Sequence, residues 1–305
     1  MTDALVIEGL AKSFGALRAV DGISLSVREG EMFAIVGPNG SGKTTLFRML
    51  CGIMKPSGGT ARILGHDIHT GMEQIKRQIG YFSQRFTLYG DLSVDENIEF
   101  FAEIHDVPDY RQFREELLAF TRLTPFRTRL ADRLSGGMKQ KLALACTLIH
   151  RPRLILLDEP TTGVDPISRM DFWKILSTLL KTNITIVMCT PYLDEAERCG
   201  RVALMNKGAV MALDTPANIK GQMRGEVLEI VCGEIRTATR LLKGADGILD
   251  VQTFGDRLNV VVDEAKAGFT RVESILRDGG IPITDWRPVK PSLENVFISL
   301  ITRAA

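Results

Sequence analysis

The stretch Gly37-Pro38-Asn39-Gly40-Ser41-Gly42-Lys43-Thr44 lies between an apolar run, Met32–Val36, and a segment over Thr45–Gly52 whose spacing predicts a helix. It fits the pattern G-x-x-x-x-G-K-[ST]. Strand, glycine-rich turn and helix, in that order, form the setting a phosphate-binding loop needs. Successive backbone N–H groups must face a polyphosphate, so glycine is required where a side chain would collide or where φ is positive. The helix N-terminus adds partial positive charge. In such a loop Lys43 reaches the β- and γ-phosphates and the Thr44 hydroxyl binds Mg2+. The alternative is a glycine-rich turn that binds nothing, and the flanking strand and helix argue against it.

Two further stretches complete the chemistry. Leu154-Ile155-Leu156-Leu157-Asp158-Glu159-Pro160 reads as a buried strand delivering carboxylates at its C-terminal end, where parallel sheets place their ligands. Asp158 is expected to hold a Mg2+ shell, and Glu159 to act as base or orienting group for an attacking water. Upstream, in Leu134-Ser135-Gly136-Gly137-Met138-Lys139-Gln140, a serine and two glycines open a helix 23 residues before Asp158, counted from Ser135. Hydroxyl, backbone N–H groups and helix dipole there make a second anion site, unless the stretch is simply a capped helix with a glycine turn. Two phosphate-binding surfaces with a single phosphate loop imply a head-to-tail dimer. Each triphosphate would lie between the loop of one protomer and the Ser-Gly-Gly of the other.

Around these motifs the chain divides in two. Ala4–Glu8 and Ile23–Val27 alternate as half-buried strands do, and Leu154–Leu157 and Ile184–Met188 are continuous apolar runs. Such strands alternating with helices predict an α/β fold with a parallel sheet buried on both faces. Residues of about 92–150 read as mainly helical, with Ser93-Val94-Asp95-Glu96 as a capping box and helical spacing over Arg111–Leu123. A boundary near Gly221–Gly225 gives expected domains of 1–221 and 222–305. Beyond it the order is strand, helix, strand, strand, helix, strand, compatible with a small ferredoxin-like α+β unit. A last helix is expected after Pro291, capped by Ser292, with Leu293, Val296, Phe297, Leu300 and Ile301 on one face.

Taken together the motifs resemble, over about residues 4–220 and in the family's order, the ABC-type ATPases, the nucleotide-binding subunits of ABC transporters. The resemblance implies a P-loop NTPase: a RecA-like core with an antiparallel β subdomain, a helical subdomain at about 86–150, and here a small C-terminal α+β domain. It implies ATP and Mg2+ as cofactors. Gly37, Pro38, Asn39, Gly40, Ser41, Gly42, Lys43, Thr44 and Thr45 would hold the phosphates. Leu134–Gln140 is similar to the family signature, so Ser135, Gly136 and Gly137 would face a partner's triphosphate. Phe14 stands where the family stacks an aromatic on adenine; the alternative is an ordinary core phenylalanine. Gln84, after Tyr81-Phe82-Ser83, resembles the glutamine that senses Mg2+ and the attacking water. Asp165, in Gly163-Val164-Asp165-Pro166, resembles the loop that crosses the dimer interface, or else it belongs to a simple turn with proline. The implied catalytic set is Glu159, Gln84 and Lys43, and the metal set Thr44, Gln84 and Asp158.

One departure stands out. The family pattern Thr-His-Tyr-Leu-Asp-Glu-Ala-Glu is here Thr190-Pro191-Tyr192-Leu193-Asp194-Glu195-Ala196-Glu197, with proline in place of the switch histidine. Thr190 as cap and Pro191 at the first helical position would keep the fold comfortable. Proline nevertheless has neither a side-chain donor nor an N–H to place beside the γ-phosphate. ATP binding with slow turnover by the chain alone is the expectation, the site working beside a partner cassette that keeps its histidine.

Lys290-Pro291-Ser292-Leu293-Glu294-Asn295-Val296-Phe297 resembles the ending of ATP-binding subunits of ABC-2-type exporters of drugs and antibiotics. The resemblance implies transmembrane permease subunits of ABC-2 type as partners, docked near Gln84 and about 86–130, and a homodimer or a heterodimer with another ATP-binding cassette. The tail is either a packing helix or a regulatory element.

Composition is consistent with this. In 305 residues, 38 Lys and Arg face 37 Asp and Glu, a net charge of +1, and residues 222–305 carry −1 of it. No global field exists to hold nucleic acid or an anionic membrane, so no nucleic-acid partner is expected. Cys51, Cys146, Cys189, Cys199 and Cys232 form no CxxC pair, which argues for incidental thiols in a reducing compartment. No apolar run approaches the roughly 18 residues of a membrane span, and Met1-Thr2-Asp3-Ala4 opens no signal peptide. A cytoplasmic chain, peripheral on the cell membrane through its permease, is therefore expected. The rivals are a soluble ABC ATPase without transport and a nucleotide-gated module with little turnover.

Overall fold

The computed structural model describes residues 2–84 and 88–304. Residues 86 and 87, at the start of the expected helical subdomain and docking region, lie outside the described residues. The chain forms two compact units, Met1–Ala212 and Leu213–Ala305.

The first unit opens with β1 (Asp3–Phe14), β2 (Leu17–Arg28), β3 (Met32–Val36), α1 (Lys43–Leu50), β4 (Gly58–Ile63), β5 (His66–Asp67), α2 (Met72–Gln78) and β6 (Ile79–Phe82). It continues through α3 (Val94–Ile104), α4 (Tyr110–Thr121), α5 (Gly136–Leu148), β7 (Leu154–Asp158), α6 (Pro166–Leu180), β8 (Thr185–Thr190), α7 (Leu193–Ala196), β9 (Arg201–Asn206) and β10 (Ala209–Asp214). Strands β2-β1-β4-β5 form one sheet, antiparallel at each pairing. Strands β10-β9-β3-β8-β7-β6 form the other. Its β9, β3, β8, β7 and β6 are parallel. Every residue of β3, β7 and β8 is buried, which is why these strands read as continuous apolar runs rather than alternating ones. Register brings their ends together: Val36 lies opposite Thr190, Asp158 opposite Cys189 and Phe82 opposite Leu157. The loops after β3, β6, β7 and β8, which carry the phosphate loop, Gln84, Glu159 and Pro191, therefore leave from one edge, the C-terminal edge of a parallel sheet.

Between β6 and β7 the described chain is helical apart from connections and two short 3-10 turns. Ser93 and Glu96 close the expected capping box reciprocally, Ser93 N to Glu96 Oε2 at 2.7 Å and Glu96 N to Ser93 Oγ at 3.2 Å. The helix expected over Thr45–Gly52 starts two residues earlier, at Lys43, because Gly42 in the left-handed region lets the loop turn directly into it.

The second unit holds α8 (Pro216–Gly221), β11 (Glu226–Cys232), α9 (Ile235–Leu242), β12 (Ile248–Phe254), β13 (Arg257–Val262), α10 (Ala265–Asp278), β14 (Ile283–Val289) and α11 (Leu293–Ala304). Its sheet runs β12-β13-β11-β14, antiparallel throughout, the strand order of a ferredoxin-like unit. Leu228, Ile230, Leu258 and Val260 from alternate strand positions pack with Ala238, Leu242, Val272 and Leu276 of α9 and α10. Ser292 caps α11, accepting Asn295 N at 3.1 Å. The division at 212/213 falls ahead of the expected 221/222 because α8 packs against α11.

Candidate functional site

The phosphate loop is built from backbone constraints. A Cβ on Gly37 would stand 2.0 Å from Met205 O, and one on Gly42 would stand 2.2 Å from Ala19 O. Backbone, not a movable side chain, excludes any larger residue there, and Gly42 also has φ of 103°. Pro38, Asn39 and Gly40 are exposed, Ser41 is buried, and Thr44 and Thr45 on the first turn of α1 are half-buried. That turn holds no acidic residue and no side-chain cap, so its N–H groups and dipole stay open to an anion. Lys43, 3% exposed, donates from Nζ to Gly37 O at 2.8 Å and Pro38 O at 3.0 Å, and lies 3.8 Å from Glu159 Oε1. The buried hydroxyl of Ser41 has no hydrogen-bond partner among the described residues. A buried ammonium held mainly by carbonyls and an orphan buried hydroxyl are groups that phosphate oxygens would satisfy.

Across the strand ends, Thr44 Oγ1 donates to Asp158 Oδ1 at 3.0 Å. Thr44 and Asp158 are hard oxygen donors, the kind Mg2+ takes together with phosphate oxygens and water. Among the described residues no group of three His, Cys, Asp or Glu side chains could hold a metal unaided. A metal here would depend on the substrate for its remaining oxygens. Gln84 Nε2 donates to Glu159 Oε2 at 2.9 Å, and Thr162 Oγ1 donates to the same oxygen at 3.3 Å. Glu159 has φ of 49°, a left-handed conformation costing a residue with a side chain roughly 1 kcal/mol. Its N–H is pinned to Cys189 O at 2.9 Å. Lys43, Thr44, Gln84, Asp158 and Glu159 thus meet in one constellation.

The remaining predicted residues are Ser135, Gly136, Gly137, Asp165 and Phe14. Ser135 caps α5, its Oγ accepting Met138 N at 3.3 Å, and stays exposed. Gly136 is also exposed, and a Cβ there would meet nothing within 4 Å, so nothing within this chain demands glycine. Gly137 is different: a Cβ would stand 2.2 Å from Ser168 Oγ on α6, so this glycine lets two helices pack. Asp165 caps α6, its Oδ1 accepting Ile167 N at 3.1 Å and Ser168 N at 2.9 Å. Those bonds, that from Ser168 first, hold its carboxyl below the usual range. Phe14, at the β1–β2 hairpin end opposite Leu17, is 48% exposed, with Lys12 Nζ 5.3 Å from its ring centroid. It is not an ordinary core phenylalanine.

The segment around Pro191 departs from expectation. Thr190 is the last residue of β8 rather than a helix cap, and Pro191 is not the first helical residue; α7 starts at Leu193 after Tyr192. The parallel register holds Thr190 in the sheet, opposite Val36, and its hydroxyl accepts Tyr192 N at 3.1 Å. Gly37 N donates to Thr190 O at 3.4 Å, which seats Pro191 next to the root of the phosphate loop.

Several participants carry no motif of their own. Tyr81 OH donates to Asp158 Oδ2 at 3.2 Å and Cys189 Sγ donates to Asp158 Oδ1 at 2.8 Å. Burial first, then the Asp158 charge, pushes both groups well above their usual pKa, so both remain donors. Gln140 Nε2 donates to Pro160 O, tying α5 to the turn after Glu159. The available signal was position alone: Tyr81 and Cys189 sit near the ends of strands whose neighbours carry the motifs.

A family model described as ABC transporter matches residues 20–162. The chain is 38% identical over 216 residues, 70% of its length, to the probable multidrug ABC transporter ATP-binding protein YbhF of Escherichia coli (strain K12), of which the match spans 37%. It is 33% identical over 304 residues to the daunorubicin resistance ATP-binding protein DrrA2 of Streptomyces coeruleorubidus, covering 97% of this chain and 94% of that one. Among solved structures, cbiO1 from Clostridium perfringens superposes with a TM-score of 0.67 at 29% identity, covering 73% of this chain and 92% of the other. A structure of an ATP binding subunit of an ABC transporter gives 0.66 at 28% identity, covering 72% and 92%. With a relative aligned along nearly its whole length, and with the phosphate loop and carboxylate strand end lying inside the matched region, this chain belongs to the ABC transporter family, among its ATP-binding subunits.

Proposed function

We propose that the chain is the ATP-hydrolysing subunit of an ABC-2-type exporter of drug-like or antibiotic molecules, acting through a separate transmembrane permease on the cytoplasmic face of the membrane. One observation carries the reading: Lys43, Thr44, Asp158, Glu159 and Gln84 converge, while Ser135 and Gly136 stand exposed at the start of α5, where nothing within this chain demands a glycine at 136. Names of relatives support the substrate class, since they include multidrug and daunorubicin resistance ATP-binding proteins.

In this reading the loop amides and Lys43 bind the triphosphate of ATP, and Thr44 and Asp158 hold Mg2+, with Gln84 reaching the same region. Bound there, Mg2+ would neutralise charge on the phosphate oxygens. Glu159, steered by Gln84 and Thr162, orients a water in line with the γ-phosphorus and takes its proton. Ser135 and Gly136 of a second cassette close over the γ-phosphate, so ATP favours the closed dimer and its hydrolysis the open one. For the permease, the surface between α1, β6, α3 and α5 offers a cavity of about 240 Å3 lined by Cys51, Ile53, Tyr81, Leu88, Phe101 and His105. Ile53 there is 61% exposed, an apolar rim suited to a docking helix. No described helix is long and apolar enough to cross a membrane.

Pro191 favours a second reading, a nucleotide-gated module with little turnover. Hydrolysis by the wild-type chain and by Pro191→His, with ATP binding and dimer content recorded alongside, separates the two. The expected result is ATP binding by both and turnover at least about tenfold faster in Pro191→His. Equal rates from equally dimeric proteins would show that the proline does not limit the reaction.

A further inference from the structure

We infer that Glu195 is a positioning residue for ATP hydrolysis, a buried carboxylate that locks the loop carrying Glu159 to the loop carrying Pro191. The inference rests on the ATPase reading above. Thr161 Oγ1 donates to Glu195 Oε1, and Thr190 Oγ1 donates to Glu195 Oε2 at 2.8 Å. Thr161, Thr190 and Glu195 are each no more than 1% exposed. Arg169 of α6 brings its Nε to 3.7 Å from Glu195 Oε1, its guanidinium to 3.9 Å from Asp194 Oδ2 and 4.8 Å from the Tyr192 ring centroid.

Each partner leads directly into the site. Thr161 lies two residues after Glu159, whose left-handed backbone needs external support. Thr190 holds the root of the phosphate loop through Gly37 N and the turn at Pro191 through Tyr192 N. Arg169 belongs to the helix that Asp165 caps. A buried carboxylate is a costly way to hold a four-residue helix, since apolar packing would do so with no desolvation penalty. Its two oxygens instead bridge the loop after β7 and the last residue of β8, 29 positions apart in sequence, from Thr161 to Thr190. Pro191 offers no side-chain donor of its own, so this bridge from behind fixes the loop in which it sits. Glu195 need not touch the nucleotide to do this.

The test uses the full chain and the variants Thr161→Val, Thr161→Ser and Glu195→Gln. ATP affinity is measured at equilibrium, kcat and KM in steady state, and backbone amide exchange along the chain. Thr161→Val and Glu195→Gln are expected to keep Kd within about threefold while kcat falls about tenfold, the effect of one misplaced hydrogen-bonded group in the transition state. Amide exchange should quicken in both 160–165 and 189–193. Thr161→Ser, which retains the hydroxyl, should restore most of the rate. A kcat unchanged in Thr161→Val, or faster exchange confined to 190–197, would overturn the inference by reducing Glu195 to a local support of α7. If Glu195→Gln does not fold, the Thr161 pair decides. A wild-type chain that binds no ATP would break the functional reading itself, and this one with it.

Discussion

Helices α3 and α5 pack on each other, and each begins after a serine whose hydroxyl accepts a backbone N–H, at 3.2 Å from Glu96 and 3.3 Å from Met138. Beyond that bond they differ. In α3 the third residue is Glu96, which returns to Ser93 N, and Asp95 adds a second negative charge to the first turn. In α5 the third residue is methionine and the first turn carries no acid. One helix end completes its own hydrogen bonds and cancels its own dipole; the other leaves both open. The first turn of α1, behind the phosphate loop, is likewise free of acids. At their far ends the same two helices meet again. His105 follows α3 and His150 lies just past α5, with rings stacked at 4.0 Å and 11°. Similar local sequence thus closes a full capping box at one start and only the serine half of it at the other.

Three measurements would break or sharpen this contrast. The largest effect is expected at the shared far end. Burial, then the neighbouring His105, lowers the His150 pKa from 6.5 to about 4. A depressed folded pKa means that the unfolded chain takes up a proton the folded one resists. Stability is therefore full above pH 6.5 and lost as pH falls towards 4, by on the order of 2–3 kcal/mol. Denaturant unfolding of wild type and His150→Phe at pH 7 and pH 4 should show that excess loss in wild type alone. Parallel losses would mean that the stacked pair does not govern acid sensitivity.

The second measurement converts α5 into a copy of α3. Met138→Glu builds the missing capping-box partner and places a carboxylate where an anion is expected. ATP-driven dimerisation and turnover should fall about tenfold, while the melting temperature holds or rises. Undiminished turnover would show that the open end of α5 serves no anion.

The third is the smallest. Ser93→Ala should lower stability by about 1 kcal/mol in thermal unfolding and leave ATP affinity unchanged. A loss of affinity would mean that α3 is not the purely structural member of the pair.

How much could be read in advance depends on whether the cause is local. The capping box at Ser93, the cap at Ser292 and the strand pattern of 226–289 all appeared in the sequence, because caps, turns and alternation act over a few residues. The ferredoxin-like strand order followed from element order and short connections. At the site, Lys43, Thr44, Asp158, Glu159 and Gln84 were legible from motif and resemblance. Tyr81, Cys189, Thr161 and Glu195 were not, since each is an ordinary residue that matters only because of what the fold sets beside it. Thr190 was misplaced as a helix cap for the same reason: a Thr-Pro pair suits a helix start locally, but pairing with β3 keeps Thr190 in the sheet. Gly137 looked like Gly136 in sequence, and only the Ser168 side chain against it tells a packing glycine from an exposed one.

The amino-acid sequence alone determined the phosphate loop and the buried parallel strands, because steric limits on glycine, helix-end hydrogen bonding and the periodicity of burial are properties of short segments. Only the tertiary structure decided that residues 37, 84, 158 and 190 share one edge, that Glu159 is turned left-handed toward Lys43, and that Glu195 ties two loops together. Those facts depend on the register of parallel strands, and parallel strands join segments too far apart along the chain for any local pattern to record which will be neighbours.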